Sequence, residues 1–239
     1  MSNVATMARR ELGAYFLSPI AYLVNAIFLF TAGLAFGLGT FQPGAEASLR
    51  TLLEFWIVLI LVFVLPMLTM RLMSEELRSG TIETLMTVPI TDVEVVLGKF
   101  FGALVFYLIL LATLLLYPII LAIFGPVDVS LLICNYLGLL LLGAFYIAIG
   151  LFFSTCTRHQ VIAVLCSAGV LAFMTFAFQP LAQLVEGWPR VFLQQLSIQT
   201  HFHDFVRGMV DVNHLVFFLT MTCLFLFLSV KLLEMRRWG

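Results

Sequence analysis

An all-α fold that crosses a membrane six times is what this sequence predicts, and three observations predict it. The chain of 239 residues is 62% hydrophobic and 10% charged, where an ordinary soluble domain is about 25% charged. Its apolar residues fall into six runs of bilayer length. Its basic residues gather on one side of the topology that those runs define. A water-soluble fold of this size must cover its surface with polar groups, and this chain lacks them. The net charge of −1 carries no electrostatic footprint for nucleic acid, so no such partner is expected.

Each run is justified by length. A helix rises about 1.5 Å per residue, so roughly 20 residues cross a hydrocarbon core of about 30 Å. The first run, 20–38, follows Pro19 and precedes a glycine-containing turn region. The second, 55–70, has Glu54 and Arg71 at its ends. The third, 100–124, is long enough to need tilt and stops at Gly125-Pro126-Val127-Asp128. The fourth is 129–153. The fifth, 161–178, follows Arg158 and His159 and closes at Gln179-Pro180. The sixth, 214–230, precedes Lys231. Lipid offers no partner for backbone N–H and C=O groups, so each run must be helical. An outer-membrane barrel would instead show short alternating strands.

Charge then orients the chain. With six spans, one side holds both termini and the second and fourth connections. It carries Arg9, Arg10, Arg71, Arg78, Lys99, Arg158, Lys231, Arg236 and Arg237, leaving Arg50, Arg190 and Arg207 for the other. Basic residues favour the cytoplasm, so both termini are expected there. No small-residue cleavage site follows the run at 21–38, so a cleaved leader is not expected. Cys134, Cys156, Cys166 and Cys223 lie in or beside spans with no paired spacing, and no disulfide framework is expected.

The connections are short. Residues 4–17 mix Arg9, Arg10 and Glu11 with Leu12, Tyr15, Phe16 and Leu17, an amphipathic pattern suited to lying along an anionic leaflet. Residues 71–99 read as helix, break, short amphipathic helix, break, helix. Ser79 or Thr81 opens the short helix, Leu85, Met86 and Val88 supply its buried face, and Val88-Pro89 ends it. Thr91 with Glu94 is a capping-box pattern for the following helix. Residues 181–213 form an exoplasmic segment. Within it, 189–208 reads as a short helix or re-entrant element packed through Phe192, Leu193, Leu196, Phe202 and Phe205.

The stretch Glu75-Glu76-Leu77-Arg78-Ser79-Gly80-Thr81-Ile82-Glu83-Thr84-Leu85-Met86-Thr87-Val88-Pro89-Ile90 resembles the signature of type-2 ATP-binding-cassette permeases. Met7-Ala8-Arg9-Arg10-Glu11-Leu12 with Leu17-Ser18-Pro19 is similar to that family's N-terminal elbow. The tail from His203-Asp204-Phe205 through Arg236-Arg237-Trp238 resembles the gliding-motility-type branch. The resemblance spans essentially the whole chain, 1–239, as one transmembrane permease domain. It implies an interfacial elbow helix in 1–19 with Arg9, Arg10 and Glu11, and a cytoplasmic coupling helix in 71–99. On the latter, Glu75 and Glu76 fall near the inner end of the second span, Gly80 allows the turn, and Glu83, Thr84, Leu85 and Met86 meet a groove of an ATPase. Thr81 and Pro89 bound that element. The implied machine is an exporter in the cell inner membrane: two ATP-binding subunits and a second copy of this permease or a related one, with an exoplasmic partner as a further candidate.

No Gly-x-x-x-x-Gly-Lys-[Ser/Thr] phosphate loop occurs, since Gly98-Lys99-Phe100 lacks both the upstream glycine and the hydroxyl. The chain is therefore expected to bind no cofactor itself, with ATP and Mg on the partner ATPase subunits. His201 and His203, near Asp204, Asp211 and His214, fit no strong zinc spacing, and residues at i and i+2 do not share a helix face. Ordinary packing is the better reading. No strong ion pair is evident within the spans, which argues against an ion-coupled carrier. Asn25, Thr113, Asn135, Ser167, Thr175 and Thr220 are the candidate polar contacts there. Two alternatives to an ATP-driven permease remain: a membrane scaffold or regulator of an envelope machine, and the ion-coupled carrier.

Overall fold

The computed structural model describes residues 3–40, 52–80, 90–124 and 128–238. Among them all regular structure is helical, and six stretches are long and apolar enough to cross a membrane: Ala21–Leu38, Leu52–Ser79, Asp92–Ile123, Val129–Cys156, Gln160–Leu184 and Val212–Arg236. Four of the six expected runs lie inside these stretches, and 20–38 and 100–124 each overrun theirs by one residue.

Helix α1 (Asn3–Leu17) precedes the first span and ends at Ser18; Pro19 then opens α2 (Pro19–Thr40). Proline suits a first helical position because its missing N–H would be unpaired there in any case. The second span begins with a π-helical segment, Leu52–Ile57, and continues as α3 (Val58–Thr69) and α4 (Arg71–Ser79). It therefore extends well past the expected end at Met70. The joint at Met70 is held from outside. Ser154 Oγ accepts from the Met73 and Ser74 N–H groups at 3.0 and 3.1 Å and donates to Met70 O at 2.9 Å.

The third span comprises α5 (Asp92–Leu114) and α6 (Leu116–Phe124), with the break just before Pro118, whose ring opposes an unbroken ladder. The expected capping box is present: Glu94 N donates to Thr91 Oγ1 at 3.3 Å, and Thr91 N donates to Glu94 Oε2 at 2.9 Å. Asp128 caps the fourth span, α7 (Val129–Cys156), by accepting from Ser130 N at 2.9 Å.

The fifth span runs from α8 (Gln160–Ala172) through a π-helical segment, Phe173–Ala177, into α9 (Phe178–Leu184). Gln179-Pro180 does not close it, contrary to the sequence reading. Pro180 falls in the turn after the π-helical segment, where the backbone ladder has already changed register. Two short helices follow, α10 (Trp188–Leu196) and α11 (Ile198–Val206), and then the sixth span, α12 (Val212–Trp238).

The core forms around α7, which packs against α3, α4, α5, α8, α11 and α12. Phe145, Tyr146 and Leu142 of α7 are fully buried there. Tyr107 of α5 donates to Leu139 O at 2.7 Å, and the Tyr146 and Thr175 hydroxyls meet at 2.7 Å. Both chain ends lie at one end of the bundle, here termed the terminal end. Tyr15 of α1 donates to Leu68 O at 3.0 Å, and Arg236 of α12 donates to Cys156 O at 2.7 Å. Helices α10 and α11 sit at the opposite end. Phe202 and Phe205 pack there as expected from the sequence, whereas Phe192 stays 55% exposed because α10 has no buried residue.

Candidate functional site

The polar residues of the terminal end converge where α1 crosses α4 and α5. The crossing is close because α5 presents glycine at one-turn spacing. A Cβ added to Gly98 would stand 2.6 Å from Met7 Cβ, and one added to Gly102 would stand 2.8 Å from Glu11 Cβ. Gly98-x-x-x-Gly102 therefore acts as a seat for α1, as small residues do where membrane helices approach closely. Asn3 Nδ2 donates to Glu94 Oε1 at 3.0 Å and ties the start of α1 to the start of α5.

Between the two glycines, Lys99 points into the joint. Its side chain is 1% exposed, and its ammonium lies 3.0 Å from Glu11 Oε1 and 2.8 Å from Glu76 Oε1. Helices α4 and α5 and the sequence-distant α1 thus meet through one cation. Each carboxylate is 14% exposed. A buried charge is tolerated when it is paired and hydrogen-bonded, and removing one partner is costly. Glu76 Oε2 is itself buried without a hydrogen-bond partner, so Glu76 depends on Lys99 for compensation. The sequence reading found no strong ion pair in the spans. The correction is this pair, at the terminal-end edge of the third span. Glu11 lies 88 residues from Lys99, too far for spacing to reveal it. The signal that was available is the glycine pair flanking a lysine.

Around this cluster lies a cleft of about 330 Å³ bordered by Arg10, Tyr15, Arg71 and Glu75. Arg71 Nη1 donates to Ser18 Oγ at 3.0 Å, and Arg71 Nε lies 3.4 Å from Glu75 Oε2. The Tyr15 ring stacks on Phe106 with centroids 5.0 Å apart. Burial pushes the Tyr15 phenol well above its usual range, and the Glu11 charge adds to the effect against the opposing Arg71. The hydroxyl is thereby kept in the donating form that its bond to Leu68 O requires.

The structure therefore brings together four of the predicted site residues, Arg10, Glu11, Glu75 and Glu76, around this cleft. Arg9 and Arg10 are exposed on α1. Gly80 ends α4 with φ of +73°, a left-handed conformation that glycine adopts without steric cost. Thr81, Glu83, Thr84, Leu85, Met86 and Pro89 lie outside the described residues, as does the short helix predicted there. At the opposite end, His203 Nε2 meets Glu54 Oε1 at 2.7 Å, and His214 Nε2 meets Asp204 Oδ2 at 2.8 Å. Among the described residues no group of three or more His, Cys, Asp or Glu side chains is arranged to hold a metal ion.

The terminal-end cluster links α1 to the extension of the second span and to the root of the third. Residues 57–233, well over half of the chain, match a family profile described as ABC-2 family transporter protein. A comparison with curated proteins finds no match.

Proposed function

The chain belongs to the ABC-2 transporter family, and from that premise we propose that this multi-pass membrane permease subunit couples ATP hydrolysis on partner subunits to export of an amphiphilic substrate. The observation that carries this reading is the Glu11–Lys99–Glu76 cluster. In the proposed mechanism an ATPase docks on residues 81–89, just beyond Gly80. A push there reaches α4, passes through Glu76 and Lys99 to α5, and through Glu11 to α1. Second and third spans then move with the elbow as a unit. The apolar character of the spans supports an amphiphilic cargo.

The assembly is two permease chains, this one with a second copy or a related chain, on two ATP-binding subunits that hold ATP and Mg. Both termini face the cytoplasm of the inner membrane, a reading supported by the bias of basic residues toward the terminal end. Mass measurement of the complex in mild detergent, combined with ATPase and transport assays, tests it. A complex of two permeases and two ATPases is expected, with Glu83→Lys inserting normally but losing ATPase association and transport. A monomer that transports without an ATP-hydrolysing partner overturns the proposal.

A further inference from the structure

At the end of the bundle opposite the termini, a chain of hydrogen bonds joins α10, α11 and α12. His201 Nε2 lies 2.9 Å from Gln195 O, His201 Nδ1 lies 2.6 Å from His214 Nδ1, and His214 Nε2 lies 2.8 Å from Asp204 Oδ2. The hydrogens in this chain can be counted. A carbonyl oxygen only accepts, so His201 Nε2 must carry hydrogen. A neutral His201 then turns a lone pair toward His214. Two nitrogen lone pairs at 2.6 Å repel, so a hydrogen must lie between the rings. If His214 supplies it, His214 either carries a second hydrogen on Nε2 toward an ionised Asp204 or accepts one from a protonated Asp204. If His201 supplies it, His201 is the cation. Every arrangement holds one proton more than two neutral imidazoles and one carboxylate.

We propose that His201 and His214 form a proton-binding site whose occupancy latches α11 to the sixth span. Occupied, the three side chains are neutral overall and the chain is continuous from Gln195 to Asp204. Emptied, they carry one net negative charge and two hydrogens for three contacts, so one contact is left with facing lone pairs and the chain breaks. Burial lowers the proton affinity of His201, against the opposing effect of its hydrogen bond to Gln195 O. His201 stacks on Phe217 of α12, with centroids 4.0 Å apart and planes at 18°, so its ring position reports directly on that span.

Few other groups compete for the proton. On α11 itself His203 turns to the other face and bonds Glu54 at the start of the second span. Asp211, just before α12, has its carboxyl held below the usual range chiefly by the Asn213 N–H, with a smaller effect from His214. Helix α7, packed beneath α11, carries no Asp, Glu, Lys, Arg or His; its titratable side chains are Cys134, Tyr136, Tyr146 and, at the terminal end, Cys156. Arg190 of α10 and Arg207 beyond α11 are exposed. The site stands independently of the ATPase reading. Under the proposed orientation it samples the pH outside the cell.

The sign follows from the occupied state being the latched one: the latch is present at low pH and lost as pH rises through the titration of the site. Hydrogen-exchange protection factors for residues 195–214, already normalised for the intrinsic pH dependence of exchange, should be measured on the full-length protein in lipid nanodiscs from pH 5 to 9. We expect protection to fall about tenfold, the equivalent of one pK unit, as a one-proton step. His214→Gln, which donates and accepts without titrating, should flatten the step, and so should His201→Gln. His203→Gln should keep it. A flat wild-type profile overturns the site, and so does a step that survives both His201→Gln and His214→Gln. A step that vanishes on chelation assigns the position to a metal ion and overturns it equally. The wild-type profile is read on its own, so misfolding of a variant leaves the test standing.

Discussion

Lys99 of α5 and Glu76 of α4 meet at 2.8 Å where the lysine side chain retains 1% of its exposure. With Glu11 at 3.0 Å on the opposite side, the ammonium compensates two carboxylates from two different helices. Lys99→Met leaves both without their cation. The expected loss is about 3–5 kcal/mol, read as a lower melting temperature of the detergent-solubilised protein. Adding Glu11→Gln and Glu76→Gln should recover most of it. An unchanged melting temperature for the single variant would show that the cluster contributes nothing.

The seat for α1 makes a sharper contrast. Gly102→Val places a side chain where Glu11 Cβ and Ala8 O already stand 2.8 and 3.2 Å from the new Cβ. Helix α1 should lift, and trypsin should cut after Arg9 and Arg10 several times faster while the spans stay inserted. Gly13→Ala meets nothing within 4 Å and should gain roughly 0.5–1 kcal/mol from helix propensity. Equal cleavage rates for the two variants would refute the close seat.

Ser154→Ala removes the acceptor of two backbone N–H groups at the α3–α4 joint. Leaving buried donors unpaired costs about 1–3 kcal/mol. Amide exchange at Met73 and Ser74 should accelerate, with little change in the capped start of α5. Unaltered exchange at those two amides would mean that the joint is held by packing alone.

Alkaline pH should loosen α1. The Tyr15 phenol ionises near pH 10 in the unfolded chain and higher in the folded one. Its contribution to stability is therefore fully present below about pH 10 and lost as pH rises beyond it. Thermal melts at pH 9 and pH 11 should differ less for Tyr15→Phe than for the parent. The same difference in both would place the alkaline loss elsewhere.

The six spans were legible because bilayer thickness imposes a length that apolar runs must meet. The Thr91–Glu94 cap was legible because its chemistry is local. What escaped the sequence reading depends on contacts between distant segments. The second span continues to Ser79 because Arg71, Glu75 and Glu76 find partners on or beside it: Ser18 and Lys99 join Arg71 and Glu76 to α1 and α5. Read alone, those charges closed the second span at Met70. Lys99 was read for orientation and against a phosphate loop, although the flanking Gly98 and Gly102 marked a close crossing. His201 and His214 became neighbours through a chain reversal at Gly208, whose φ is +80°, a fold-back that their spacing did not specify.

The Met70 joint has a geometric consequence. The nine residues of α4 make a rod of about 13 Å, anchored at one end by Ser154. Swinging that rod by about 10° carries Gly80 through roughly 2 Å, while atoms near the anchor shift by only a few tenths. Glu76 lies part-way along the rod and is fastened to Lys99, so the deflection reaches α5 reduced in amplitude. Under such a swing α4 acts as a lever, with its fulcrum at Ser154 and its long arm toward Gly80.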